Sequence, residues 1–264
     1  LYLPWTEAQS KEILLRQNQV DNTLKQAFHQ EINSPNIDAA ILCADDNDDN
    51  RNLIAYLLSK TGARLSLVEN GQEAVEMALS QHFDLILMDM KMPVMDGLEA
   101  TQRLVEKGCK TPIVMLTANV DESSKQKSLH SGAIGHFGKP IDTQGFYTML
   151  QDELGIQKQA PAASAVSSNF QHLINDYRQR LPEKLNDILA AYEAKDMHTL
   201  EHLLHKLKGS AGSYGFQELS DMASEVEANL QADNADELHT HMQGVKMRYE
   251  KLLANNELVA KAIN

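Results

Sequence analysis

Basic charge, cysteine and long apolar runs are all scarce in this sequence, and each scarcity excludes a class of function. Lys and Arg number 24 against 37 Asp and Glu, a formal net charge of −13. An acidic chain without a basic stripe argues against direct nucleic-acid binding, and its clustered acids suit a divalent cation instead. The two cysteines, Cys43 and Cys109, form neither a CxxC motif nor a paired spacing. That usage fits a reducing cytoplasm, where disulfides are rare. No apolar run approaches the roughly 18–20 residues that span a bilayer. No basic–apolar–small signal pattern opens the chain either. The first residue is Leu1 rather than Met, so the sequence reads as a fragment, and the missing span says little about its parent.

What is present is enough chain for two domains, each with its own core: 264 residues, 42% of them hydrophobic. Residues 1–36 form a polar lead-in, partly helical, with Ile13, Leu14, Val20, Leu24 and Phe28 loosely at helical intervals. From Ala39, short apolar runs alternate with amphipathic stretches. The strands predicted are Ala39–Ala44, Arg64–Val68, Phe83–Asp89, Pro112–Thr117 and Ile134–Phe137. Helices are predicted near 48–60, 71–81, 97–107, 121–131 and 142–153. Leu85-Ile86-Leu87-Met88 is apolar without alternation, as in a strand covered by helices on both faces. Residues 37–154 therefore read as a doubly wound (βα)5 parallel sheet. Residues 155–168 lose periodicity and read as a flexible linker. From 169 to 264 the apolar spacing is helical throughout, with breaks near Asp196, Tyr214-Gly215 and Asp233–Asp236, which predicts an antiparallel four-helix bundle. Both parts are acidic, with 18 acidic against 10 basic side chains in 37–154 and 15 against 10 in 169–264.

Sites in parallel α/β sheets form at the carboxyl ends of strands. Here those ends carry Asp45-Asp46, Asp89, Thr117 and Lys139-Pro140. Three converging carboxylates repel unless a cation joins them, and oxygen donors open to phosphate suit Mg²⁺. A hydroxyl and an ammonium beside them could hold the phosphoryl oxygens. Each residue also has an ordinary reading: acids between Asp45 and Asp49 cap helices. A calcium loop fails, because the positions that need Gly and Glu hold Asn50 or Arg51 and Tyr56 or Leu57.

In the segments AILCADDN, DLILMDMKMPVMDG, PIVMLTAN and GHFGKPI, residues 39–154 resemble the receiver domain of bacterial response regulators, a flavodoxin-like fold. The resemblance implies Asp89 as the nucleophile that accepts a phosphoryl group. It implies Asp46 and Asp89 as Mg²⁺ ligands, Asp45 contributing directly or through water, and the backbone carbonyl of Lys91 as a further ligand. Thr117 and Lys139 would contact the phosphoryl group. Thr117 and His136 occupy the switch positions; His136 stands where an aromatic is common, and a half-buried strand residue without signalling role is its alternative. Met92-Pro93 and Asp96-Gly97 shape the turn after the strand.

In the helical part, His198, His202 and His205 fall on one helix at spacings of four and three. A metal site lacks supporting cysteines or an HExxH pattern, and His198 and His202 read as solvated. His205 differs, because Lys208, Gly209 and Gly212 follow on its face. Two helical glycines cost about 1 kcal/mol each relative to Ala. They either open the surface to another protein's active site or let helices pack closely, and spacing alone leaves both open. The run HKLKG at His205–Gly209 resembles the signature of the histidine phosphotransfer (HPt) domain, also a four-helix bundle. That resemblance implies His205 as a second phosphoacceptor, Lys208 as a charge stabiliser, and Gly209 and Gly212 as the access for a partner.

Phe28–Pro35 faintly resembles a kinase phosphoacceptor box, but its spacing is off and no ATP-binding domain follows. Gly138-Lys139-Pro140 is not a Walker A loop. The expectation is phosphotransfer without an ATP-binding kinase core, in the order seen at the C-terminus of hybrid sensor histidine kinases. A kinase phosphohistidine would charge Asp89, Asp89 would charge His205, and His205 would charge the receiver of a separate response regulator. The alternative is a phosphorylation-controlled interaction switch with little flux through His205. The expected setting is cytoplasmic, with the parent anchored in the inner membrane and no membrane contact by this segment.

Overall fold

A computed structural model describes residues 34–118, 122–156, 168–232 and 235–263. The helix expected between residues 6 and 30, the kinase-like box up to residue 33 and most of the expected linker, 157–167, lie outside the described residues.

Five strands form the first half: β1 (Ala40–Ala44), β2 (Arg64–Val68), β3 (Leu85–Asp89), β4 (Ile113–Thr117) and β5 (Gly135–Gly138). All pairings are parallel, in the order β2-β1-β3-β4-β5. Alternating with them are α1 (Asp48–Leu58), α2 (Gly71–Ser80), α3 (Gly97–Glu106), α4 (Glu122–Ser131) and α5 (Thr143–Glu153). Side-chain caps begin four of these helices. Asn47, Asn70, Asp96 and Asp142 each accept a hydrogen bond from an early helical N–H, satisfying a donor the helix leaves unpaired. β3 and β4 are buried along their whole length, which explains their unbroken apolar runs. One apolar cluster fills each sheet face.

The chain reverses winding direction at β1, so a crevice opens between the carboxyl ends of β1 and β3. The register pairs Ala44 with Met88, which sets Asp45 beside Asp89. The turn after β3 folds back tightly: Gly97 N–H donates to the Met90 carbonyl at 3.1 Å. A Cβ on Gly97 would lie 2.0 Å from the Asp89 carbonyl oxygen. Gly97→Ala is therefore expected to destabilise the domain by about 1–3 kcal/mol through overpacking against backbone. It should also displace Asp89. Gly135→Ala, whose nearest neighbour would be 3.8 Å away, is the control. Urea midpoints of the two variants check this, and equal midpoints would refute it.

The second half is α6 (Ser168–Glu193), α7 (Met197–Ala211), a 3-10 turn (Gly212–Tyr214), α8 (Gln217–Gln231) and α9 (Ala235–Ile263). α7 packs on α6 and α8, and α9 closes the bundle against α6 and α8. Asp196 caps α7 by accepting from Thr199 N–H at 3.0 Å. Gly215, with φ 85°, ends the 3-10 turn in the left-handed region that glycine adopts freely.

The two halves touch. The apolar cluster on the α1/α5 side of the sheet continues without interruption into the bundle. Tyr56 of α1 stacks on Phe170 of α6 with ring centroids 5.0 Å apart.

Candidate functional site

The site grows from strand ends. Asp45 follows β1 and is fully buried, and Asp89 closes β3 with a side chain only 3% exposed. Lys139, one residue past β5, places its ammonium 2.8 Å from Asp45 and 2.9 Å from Asp89. Asn50 donates to both Asp45 oxygens, and Asn47 N–H donates to one of them. Asp46 stands beside this pair, and one oxygen from each of Asp45, Asp46 and Asp89 falls within 4.8 Å of the other two. Thr117 is buried at the end of β4, where its carbonyl accepts from Lys139 N–H at 2.7 Å. Lys91, two residues past Asp89, extends its side chain away from the cup toward the bundle. His136 is half-buried in β5, paired in register with Met115.

The charge balance is asymmetric. Burial pushes the Asp89 carboxyl up to about 6; Lys139 opposes this, Asp45 adds to it, and His205 pulls downward. Burial alone would lower the Lys139 ammonium, yet Asp45 and Asp89 hold it well above its ordinary range.

Over this cup lies α7 of the bundle. His205 retains 14% side-chain exposure, and a positive charge on it favours the Asp89 carboxylate. The imidazole Nδ1 lies 3.3 Å from a carboxylate oxygen of Glu227 in α8. Lys208 donates to the other Glu227 oxygen at 3.0 Å, and Lys91 reaches the same carboxylate at 3.4 Å. Burial would raise Glu227, but the hydrogen bonds and charges of His205 and Lys208 bring it down to about 2.

The glycines meet the α/β domain directly. A Cβ on Gly209 would sit 3.6 Å from Lys139, and one on Gly212 would sit 2.8 Å from Pro140. Asn47 donates to the Lys206 carbonyl at 2.9 Å, Ile141 N–H to Ser213 Oγ at 2.7 Å, and Tyr214 O–H to the Asp49 carbonyl at 2.8 Å. His202 is not simply solvated as its helical position suggested. Its Nε2 lies 3.5 Å from Asp46, beside Lys206 Nζ at 3.4 Å. Burial and the Lys206 charge hold that imidazole below its usual range, with Asp46 opposing. Asp45, Asp46, Asp89 and Lys139 thus lie together beneath the helix end that carries His205, Gly209 and Gly212, with Thr117 buried at the neighbouring strand end. Lys208 is turned to Glu227, and His136 lies on a neighbouring strand.

Residues 41–151 match the response regulator receiver domain family, and residues 172–255 match the Hpt domain family. The chain is a response regulator receiver domain followed by an Hpt domain. Its relatives are sensors and kinases. It is 26% identical over 227 residues to the signal transduction histidine-protein kinase BarA of Escherichia coli, covering 75% of this chain and 24% of BarA. It is 29% identical over 220 residues to the sensor protein GacS of Pseudomonas syringae, covering 72% and 24%. The receiver–Hpt chain therefore spans about a quarter of the length of these curated relatives. Among solved structures, the receiver domain of a Pseudomonas aeruginosa sensor histidine kinase, with magnesium in its active-site cleft, is 33% identical. It covers 45% of this chain and 99% of its own, at a TM-score of 0.43. The Saccharomyces cerevisiae complex of the phosphotransfer protein Ypd1 with the Ssk1 receiver domain is 27% identical. It covers 47% and 93%, at a TM-score of 0.44. Among the described residues, no helix is long and apolar enough to cross a membrane.

Four interface residues carry little signal in the sequence. Glu227 lies 22 positions from His205 on another helix; its one clue is an acid on the stripe of Leu219, Met222, Ala223 and Val226. Asp49 reads as an ordinary first-turn acid, and Arg180 and Lys184 as a solvated helix face.

Proposed function

We propose that the chain relays a phosphoryl group from a kinase phosphohistidine to Asp89, from Asp89 to His205, and from His205 to the receiver of a separate response regulator. One observation carries this reading: the face bearing His205 is seated on the acidic cup of the same chain. The donor would be a histidine kinase, in the same polypeptide or another, of the kind the relatives' names describe.

The residues account for the transfer within the chain. Glu227 would accept a hydrogen bond from the Nδ1–H of neutral His205, fixing the tautomer that leaves the Nε2 lone pair for attack. As the Nε2–P bond forms, the bond from phosphorus to the Asp89 oxygen breaks, and the carboxylate leaves with its electron pair. The imidazolium that results faces the Glu227 anion. Lys139, already within 2.9 Å of Asp89, offsets the charge left behind. Thr117, at the end of the neighbouring strand, would hold a phosphoryl oxygen.

The carboxylate cluster fits a hard, oxygen-seeking cation, and Mg²⁺ is the proposed one. Asp46 and Asp89 would hold it, with the Lys91 carbonyl. Asp45, whose oxygens already meet Asn50, Asn47 and Lys139, would act through water. When bound, such an ion neutralises phosphoryl oxygens.

Radiolabelled acetyl phosphate with magnesium tests the relay. Acyl phosphate is base-labile, whereas phosphohistidine is acid-labile and base-stable. The wild-type chain is expected to accumulate acid-labile label on His205. His205→Gln should hold base-labile label only, and Asp89→Asn neither. Wild-type label that stays wholly base-labile sinks the relay and favours the interaction-switch reading.

A further inference from the structure

Asp49 is the most deeply buried acid at the interface outside the cup, with a side-chain exposure of 0%. Its carboxylate has no hydrogen-bond partner among the described residues. Its charge partners come from the other domain: Arg180 at 2.8 Å and Lys184 at 2.7 Å, one turn apart on α6. The neighbouring Asp48 already supplies the acid that a helix start favours; it is 74% exposed and paired with Arg51. Capping belongs to Asn47. Asp48 alone can meet the preference of the helix start, and among the described residues the ion-pair partners of Asp49 all come from the bundle.

We infer that Asp49 with Arg180 and Lys184 is a charge clamp that seats the Hpt domain on the receiver and sets what a partner receiver must present: an acid in the first turn of its first helix. This rests on the relay reading above. Both domains carry net negative charge, so their overall fields repel, and docking depends on local pairs that reverse the sign. The clamp is such a pair, and it is built in. The Asp49 carbonyl accepts from Tyr214, whose ring stacks on Tyr177 at 4.2 Å; Lys184 lies 5.8 Å from the centroid of Tyr177. Tyr177 and Tyr214 thus brace both ends of the clamp. A receiver with an apolar or basic residue at this position would leave two partly exposed cations, Arg180 at 39% and Lys184 at 29%, facing the interface without their buried counter-charge, which discriminates without any new attraction.

Charge reversal and restoration test the clamp in the full chain. Asp49→Arg, and separately Arg180→Asp with Lys184→Asp, are expected to slow Asp89-to-His205 label transfer at least about thirtyfold, as the loss of a buried interfacial charge partner implies. The same variants should enlarge the radius of gyration in small-angle scattering. All three changes together are expected to restore compactness and most of the rate. Asp49→Asn, which keeps the shape, should slow transfer about tenfold and covers the case in which a reversal fails to fold. Selection is read between chains, from labelled Asp89 of a His205→Gln chain to His205 of an Asp89→Asn chain; only charge-matched combinations should transfer. Reversal variants that stay compact and fast, a triple variant no better than its parents, or transfer between chains regardless of charge overturn the clamp. Absence of His205 label in the wild type would instead sink the relay, while scattering still decides the clamp.

Discussion

Asp89→Asn is expected to make the chain more stable while removing its proposed phosphoryl acceptor. The Asp89 carboxyl sits near 6 in the folded protein against 3.8 ordinarily, because burial and Asp45 outweigh Lys139 and His205. The folded state therefore holds a proton that the unfolded state releases between those values. Stability from that proton is fully present below about pH 4 and is lost as pH rises through about 6, leaving an ionised Asp89 that costs about 1–3 kcal/mol near neutrality. An amide has no charge to desolvate, and Lys139 keeps Asp45 as its partner at 2.8 Å. Urea midpoints at neutral pH, with a chelator present so that protein charges alone are compared, should be higher for Asp89→Asn than for wild type. The gap should close as pH falls below about 4. A variant less stable than wild type at neutrality, or a gap unchanged by acid, would contradict the assignment. Label from acetyl phosphate should vanish at every pH.

The same balance bears on reactivity. A buried carboxylate whose charge is poorly compensated is held away from its ordinary state, which is how reacting groups are tuned. On the proposed relay, phosphorylation at Asp89 would move charge outward onto the phosphoryl oxygens, toward Thr117, Lys139 and the facing bundle. Docking adds His205 to that list. The arrangement that makes Asp89 expensive in the resting chain is the one that the relay reading puts to use.

The α/β half was legible because its signals are local. Apolar runs without alternation mark covered strands, and chemistry-bearing residues lie where those runs stop. The errors at strand ends have identifiable causes. Phe83 and Asp84 precede β3; Asp84 N–H still donates to the Ala40 carbonyl at 2.8 Å, but Ala40 N–H is met by the Asp84 side chain at 2.7 Å instead of by a backbone carbonyl. Pro112 lies outside β4, having no N–H to donate, though its carbonyl accepts from Ile86. The bundle was legible as helices and breaks, and His205 through the residues that follow it. What the sequence did not display is the contact between the halves. Asp49, Arg180 and Lys184 are ordinary helix-surface residues until two surfaces meet, and so was His202, whose acidic neighbour Asp46 lies on the other domain. Contacts across a linker leave no periodicity to read.

Glu227→Gln is expected to weaken both the bundle and the transfer. The carboxylate is only 5% exposed, yet it serves His205, Lys208 and Lys91. It is held near 2 rather than its ordinary 4.5 because the hydrogen bonds and charges of His205 and Lys208 outweigh the cost of burial. A carboxyl depressed in the fold contributes stability that is present above about pH 4.5 and lost as pH falls through about 2. That contribution is at most about 3 kcal/mol, and less with His205 neutral, whereas removing one partner of a buried pair typically costs about 3–5 kcal/mol. The amide withdraws the Glu227 charge from Lys208 and can offer its –NH₂ group to His205 in place of an acceptor. The imidazole then loses the contact that fixes its Nδ1 proton, and with it the anion that would face the charged ring after transfer. Asp89-to-His205 transfer should slow about tenfold to a hundredfold, the worth of one charge-assisted hydrogen bond. Labelling of Asp89 by acetyl phosphate supplies the normaliser in each quenched-flow run. Glu227→Asp restores the charge on a shorter stem and should recover part of both losses. Wild-type transfer and stability in Glu227→Gln would mean that the carboxylate neither orients His205 nor holds the bundle, and Lys208 would then need another counter-charge.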